Sequence, residues 1–84
     1  MVYYLIICRS LTYAQRTAAV LERAGITANI MRTPSSISHG GCSHAVKVSE
    51  RRLSSALTVL GRVGLSPRSV YILSADGSYK EVGL

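Results

Sequence analysis

The sequence predicts an α+β domain built in the order β-α-β-β-α-β, and three observations carry that reading. The first is an internal repeat: VLERAGIT at 20–27 returns as VLGRVGLS at 59–66, an offset of 39 residues with six of eight positions matching in identity or type. The second is the apolar run 2–8, whose unbroken hydrophobicity marks a central strand buried on both faces. The third is a helical apolar spacing ahead of each repeat end. Two copies are too few for a solenoid, but they suit a duplicated βαβ unit.

Each element has its own signal. Thr12, with Gln15 three residues later, predicts a capping box for a helix over about 13–24, with Ala14, Ala18, Leu21 and Ala24 on its apolar side. Gly25 and Gly64 fall where a helix closes in a left-handed residue before the chain turns into a strand. Residues 26–32 alternate weakly and predict the second strand; 45–48 belong to a third. Ser49 is the expected N-cap of a second helix carrying Leu53, Ala56, Leu57, Leu60 and Val63. Residues 68–73 predict the fourth strand. In the tail 74–84, Asp76-Gly77 is a turn signal for a short extra hairpin. The result is a ferredoxin-like pattern in a single domain over 1–84, core about 2–73, with an antiparallel sheet in the order 4-1-3-2 and two helices on one face.

Composition narrows the function classes. At 84 residues the chain sits near the lower size limit for one core without staples, and its 48% hydrophobic and 17% charged residues exclude disorder. So apolar a chain of this size raises the expectation of a homodimer. The net charge of +6 favours anionic partners. Two cysteines, Cys8 and Cys42, make neither a disulfide framework nor a zinc spacing. The run 2–8 is too short to cross a membrane and lacks the basic flank of a secretory leader, so a cytoplasmic protein with reduced thiols and no membrane partner is expected.

The most informative stretch is TPSSISHGGCSHAVKV at 33–48. Cys42 follows Gly40-Gly41 and lies between His39 and His44, where a polar loop gives way to a strand. Reactive cysteines need exposure and a thiolate-stabilising environment. The predicted topology brings the end of strand 1, the loop between strands 2 and 3 and the start of the first helix to one sheet edge. There Cys8, Cys42, Arg9, Arg32, His39 and His44 would gather near a helix N-terminus, whose positive end favours a thiolate. Gly40 and Gly41 let backbone amides turn toward an anion, and Ser38 adds a hydroxyl.

These residues carry a resemblance. Tyr4-Leu5-Ile6-Ile7, Leu21 through Ile26 (LERAGI), Thr33-Pro34, Ile37-Ser38, Cys42 and Ala45-Val46-Lys47 resemble the pattern of the sulfur/selenium carrier-like family, a small bacterial domain of unknown function. The likeness runs to about Leu73. Ser35 stands where the pattern has Arg, Ser43 where it has Gly after the cysteine, and Cys8 has no counterpart. The resemblance implies a carrier that holds sulfur or selenium on Cys42 as a persulfide or selenosulfide. Donor and acceptor proteins would be its partners, and it would act as a carrier rather than a stand-alone enzyme.

Blander readings stand beside this one. Cys42 could be a semi-buried strand residue; Cys8 reads as structural, with a second-thiol role as the alternative. His39 and His44 either tune Cys42 or are solvated loop and strand-start residues. Cys8, His39, Cys42 and His44 include metal-ligating types, but their spacing matches no motif, and no metal or other cofactor is expected. An interaction module that self-associates through its sheet is the second reading, a weak nucleic-acid binder the third. Arginines are scattered and the third strand offers no stacking aromatic, so nucleic acid is not an expected partner. An acylphosphatase-like enzyme would use Arg9, but Asn29 lies on strand 2 and is misplaced for it.

Overall fold

The computed structural model describes residues 2–37 and 43–82. The chain forms β1 (Tyr3–Cys8), α1 (Leu11–Arg23), β2 (Asn29–Arg32), β3 (His44–Ser49), a 3₁₀ turn (Glu50–Arg52) running into α2 (Leu53–Arg62), β4 (Ser69–Leu73) and β5 (Tyr79–Glu81). The sheet is antiparallel throughout, in the order β2-β3-β1-β4-β5. Strands β1–β4 stand in the expected order 4-1-3-2, read from the β4 side, and the sheet differs from the expectation by a fifth strand beyond β4. The tail adds β5 to the outer edge of β4 through the turn at Asp76-Gly77, where Gly77 takes φ +86° and its N–H donates to Ser74 O at 2.9 Å.

The 39-residue repeat has a structural cause. Ile26 N–H donates to Leu21 O at 2.9 Å and Gly25 N–H to Glu22 O at 3.0 Å; Leu65 N–H donates to Leu60 O at 3.0 Å and Gly64 N–H to Gly61 O at 3.4 Å. Both are Schellman closures, with Gly25 (φ +79°) and Gly64 (φ +73°) as the left-handed residues. Each sets an apolar residue, Ile26 or Leu65, against the last turn of its helix. Ile26 is thus taken up by the helix end, and β2 starts only at Asn29 rather than at 26.

Helix starts differ from expectation. Ser10, extended at φ −156° and ψ 167°, caps α1: its Oγ accepts the Tyr13 N–H at 3.1 Å. Thr12 therefore lies inside the first turn. Ser49 holds the N-cap position of the 3₁₀ turn that runs into α2, but its side chain makes no capping hydrogen bond. The outermost positions of both predicted stripes, Ala24 and Val63, are exposed C-caps, and Val63 is 54% exposed.

Ile6, Cys8, Val46, Val48 and Val70 point from the sheet onto Ala14, Ala18, Leu21, Ala56 and Leu60 of the two helices, with Ile26 closing the cluster. Among the described residues no helix covers the other sheet face, yet Leu5 (0% exposed), Ile7 (5%), Ala45 (0%) and Tyr71 (8%) are buried there. Met31, Tyr79 and Ile37 pack against them. Ile37 comes from the connection after β2, so that connection folds back onto the helix-free face. The unbroken apolar run of β1 reflects this double burial.

Candidate functional site

One end of the sheet gathers most of the described residues singled out from the sequence. On its last row Cys8 of β1 pairs with His44 of β3, and His44 pairs with Arg32 of β2. On the far side of β1, Arg68 N–H donates to Ile7 O at 2.9 Å, which brings Arg68 to the same end. Arg9 follows Cys8 directly, and its guanidinium lies 5.4 Å from the Tyr13 ring centroid, within cation–π range. Exposed Arg9, Arg32 and Arg68 make this end cationic. The four acidic residues belong elsewhere: Glu22 in the last turn of α1, Glu50 beyond β3, Asp76 in the far turn, and Glu81 on edge strand β5.

The β2–β3 connection leaves from this end. Thr33 N–H donates to Ser43 O at 3.2 Å and ties its two roots together, and Ile37 N–H donates to Pro34 O at 3.1 Å in a tight turn. Ser38, His39, Gly40, Gly41 and Cys42, five of the residues singled out as the site, lie outside the described residues. So does the expected proximity of Cys8 to Cys42.

Cys8 is an enclosed thiol. It is 1% exposed, with Sγ 3.7 Å from Ile6 O and 3.8 Å from Thr17 Oγ1. Burial pushes its pKa up from the ordinary thiol value, and the contact with Thr17 opposes this only in part. At neutral pH Cys8 is therefore protonated and out of reach of a bulky reactant. Its place among Ala14, Leu21 and Val46 is that of a small core residue.

His44 Nδ1 and Thr33 Oγ1 are both buried without a hydrogen-bond partner among the described residues. They sit at the two roots of the connection that carries Cys42. Sequence reading did not single out Thr17 or Arg68 for the site, and it took Thr33 only as part of the Thr33-Pro34 motif. Thr17 completes the 14, 17, 18, 21 helical stripe, which signalled its position, and Arg68 directly precedes β4. Among the described residues no group of three or more His, Cys, Asp or Glu could hold a metal ion, and no helix is long and apolar enough to cross a membrane.

A family model described as "Putative Se/S carrier protein-like" matches residues 3–72. The chain belongs to this family. The match to the Se/S carrier protein-like family takes in β1 through nearly all of β4 and the whole β2–β3 connection, and it leaves β5 outside. No curated protein and no solved structure matches the chain.

Proposed function

We propose that this chain carries a single sulfur or selenium atom on Cys42, as a persulfide or selenosulfide, between a donor and an acceptor protein. Support comes first from family membership over a span that includes Cys42. The observation that carries the choice of residue is the enclosure of Cys8: of the chain's two cysteines, one is sealed in the core as a protonated thiol, which leaves the other for chemistry.

Loading is a thiol–disulfide type exchange. The Cys42 thiolate attacks the outer sulfur of a donor persulfide, R–S–SH. A new S–S bond forms, the donor's S–S bond breaks, and the donor leaves as R–S⁻ while Cys42 becomes –S–SH. A donor selenosulfide reacts in the same way at selenium. No external oxidant or reductant enters, because the transferred atom keeps its oxidation level. Under this reading His39, His44, Arg9 and the amides around Ser38, Gly40 and Gly41 stabilise the anionic adduct, on a ferredoxin-like frame in a reducing, cytoplasmic setting.

Intact-protein mass spectrometry after incubation with a persulfide donor tests it. The wild type and Cys8→Ser should gain the mass of one sulfur, reversed by a thiol reductant, and Cys42→Ser should not. A gain that survives in Cys42→Ser overturns the proposal.

A further inference from the structure

The end of the sheet opposite the cationic end of Arg9, Arg32 and Arg68 carries a recess, and we infer that it binds a tetrahedral oxyanion: phosphate, sulfate or the phosphoryl group of a small metabolite. A cavity of about 310 Å³ is lined by Tyr3, Asn29, Lys47 and Ser49 together with Gly25, Thr27 and Arg52. Tyr3 pairs with Ser49 and Asn29 with Lys47, so these four share the helix-free face by register. The other three come from the α1–β2 connection and the 3₁₀ turn after β3. Tyr3 and Cys8 are the two ends of β1, roughly 17 Å apart at about 3.3 Å per residue, so this is a separate place from the cysteine-bearing end.

Two cations are held at the cavity by specific contacts. Lys47 Nζ lies 4.6 Å from the Tyr3 ring centroid, which fixes the ammonium by a cation–π interaction. Arg52 Nη2 donates to Gly25 O at 3.3 Å, and a guanidinium with five N–H donors keeps further donor capacity after that one bond. Thr27 and Ser49 add hydroxyls and Asn29 a carboxamide. No acidic residue lines the space; Glu50 borders a neighbouring recess with Val2, Ser49 and Arg51. Two like charges in one concavity repel, and an anion between them relieves that cost.

The donors come from the sheet face, the turn after α1 and the 3₁₀ turn, three separate pieces of backbone. That spread suits a tetrahedral anion better than a planar carboxylate, which a single guanidinium fork satisfies. The volume is at the small end of ligand sites and fits a phosphate monoester of a compact metabolite rather than a polymer. The inference is independent of the carrier reading.

Titration of the full chain with sodium phosphate, sodium sulfate, glycerol phosphate or sodium chloride at matched ionic strength, followed by amide ¹H–¹⁵N shifts, tests it. The expected result is saturable shifts at Gly25, Thr27 and Ser49 with the oxyanions and not with chloride. Lys47→Ala and Arg52→Ala should each weaken binding by about tenfold while leaving the remaining spectrum in place, as expected for charge-assisted contacts. Tighter binding of glycerol phosphate assigns an esterified phosphoryl ligand; equal or weaker binding assigns the free oxyanion, and either supports the site. Shifts that match chloride, that centre on Arg9, Arg32 and Arg68 instead, or that persist unchanged in both variants overturn it.

Discussion

Cys8 and His44 face each other across the last pair of the β1–β3 ladder, on the sheet face covered by α1. The thiol is enclosed beside Thr17, and the imidazole stands at the root of the connection that carries Cys42. One row of the sheet thus ends in an enclosed core thiol on one strand and in a half-buried imidazole with an unpartnered nitrogen on the next, among the described residues.

Enclosure of Cys8 has a pH signature. Its folded-state pKa is raised, so between the unfolded thiol value and the folded one the native chain binds more protons than the unfolded chain. Stability contributed by the neutral buried thiol is full below about pH 8.5 and declines as pH rises above it. Thermal melts from about pH 7 to about pH 10 should show a steeper alkaline loss in wild type than in Cys8→Ala. Identical slopes would mean that Cys8 ionises as readily in the fold as out of it.

The two Schellman closures make a paired glycine test. Gly64→Ala forces a side chain into φ +73° and should cost about 1–2 kcal/mol, with Gly25→Ala behaving alike. Gly61 stands inside α2 with open space around a built Cβ, so Gly61→Ala should stabilise by about 0.5–1 kcal/mol. Urea melts read both signs, and a destabilising Gly61→Ala would contradict the helix assignment at that position.

Core and rim positions of the helices should separate clearly. Leu21 and Leu60 are the buried partners of the two closures, and truncation of either to Ala should cost about 2–5 kcal/mol. Val63, exposed beyond the end of α2, should tolerate Ala within about 0.5 kcal/mol. Comparable losses at Leu60 and Val63 would show that α2 packs with a different face.

Legibility differed by element for physical reasons. The strand β1 and both helix ends were readable because continuous hydrophobicity and a Gly at C′ are local signals with one dominant meaning. The helix starts were misread. Ser10 and Thr12 are both good caps, and only the position where β1 ends selects Ser10. Strand β2 was drawn too long because Ile26 looks like a strand residue but serves as the plug of α1. The unbroken apolar run of β1 implied burial of Leu5 on the helix-free face, but what covers Leu5 and Tyr71 there was not readable, since it depends on Ile37 returning from a connection whose path no local pattern encodes. Of the site, the cationic residues at one sheet edge followed from topology, whereas the closeness of Arg68 needed the β1–β4 register.

Cys42 should be the more reactive thiol, with a depressed pKa. The sheet end from which its connection leaves presents Arg9, Arg32 and Arg68 and no acidic residue among those described, and positive potential favours the thiolate over the thiol. Iodoacetamide labelling of Cys8→Ser, followed from about pH 5 to about pH 9, should give an apparent pKa below about 8.5. Raising salt from about 0.05 M to about 1 M should move that value upward, because screening acts on exposed charges beyond a few ångströms. The double change Arg32→Gln and Arg68→Gln should do the same without salt. In Cys42→Ser, Cys8 should label only as the chain unfolds, in step with loss of structure on a urea series. A Cys42 that titrates near 8.5, indifferent to salt and to both arginines, has no electrostatic activation, and loading would then have to rely on activation by the donor protein. If Cys42 is instead protected until unfolding while Cys8 labels first, the division between core thiol and carrier thiol is reversed and the proposed function fails with it.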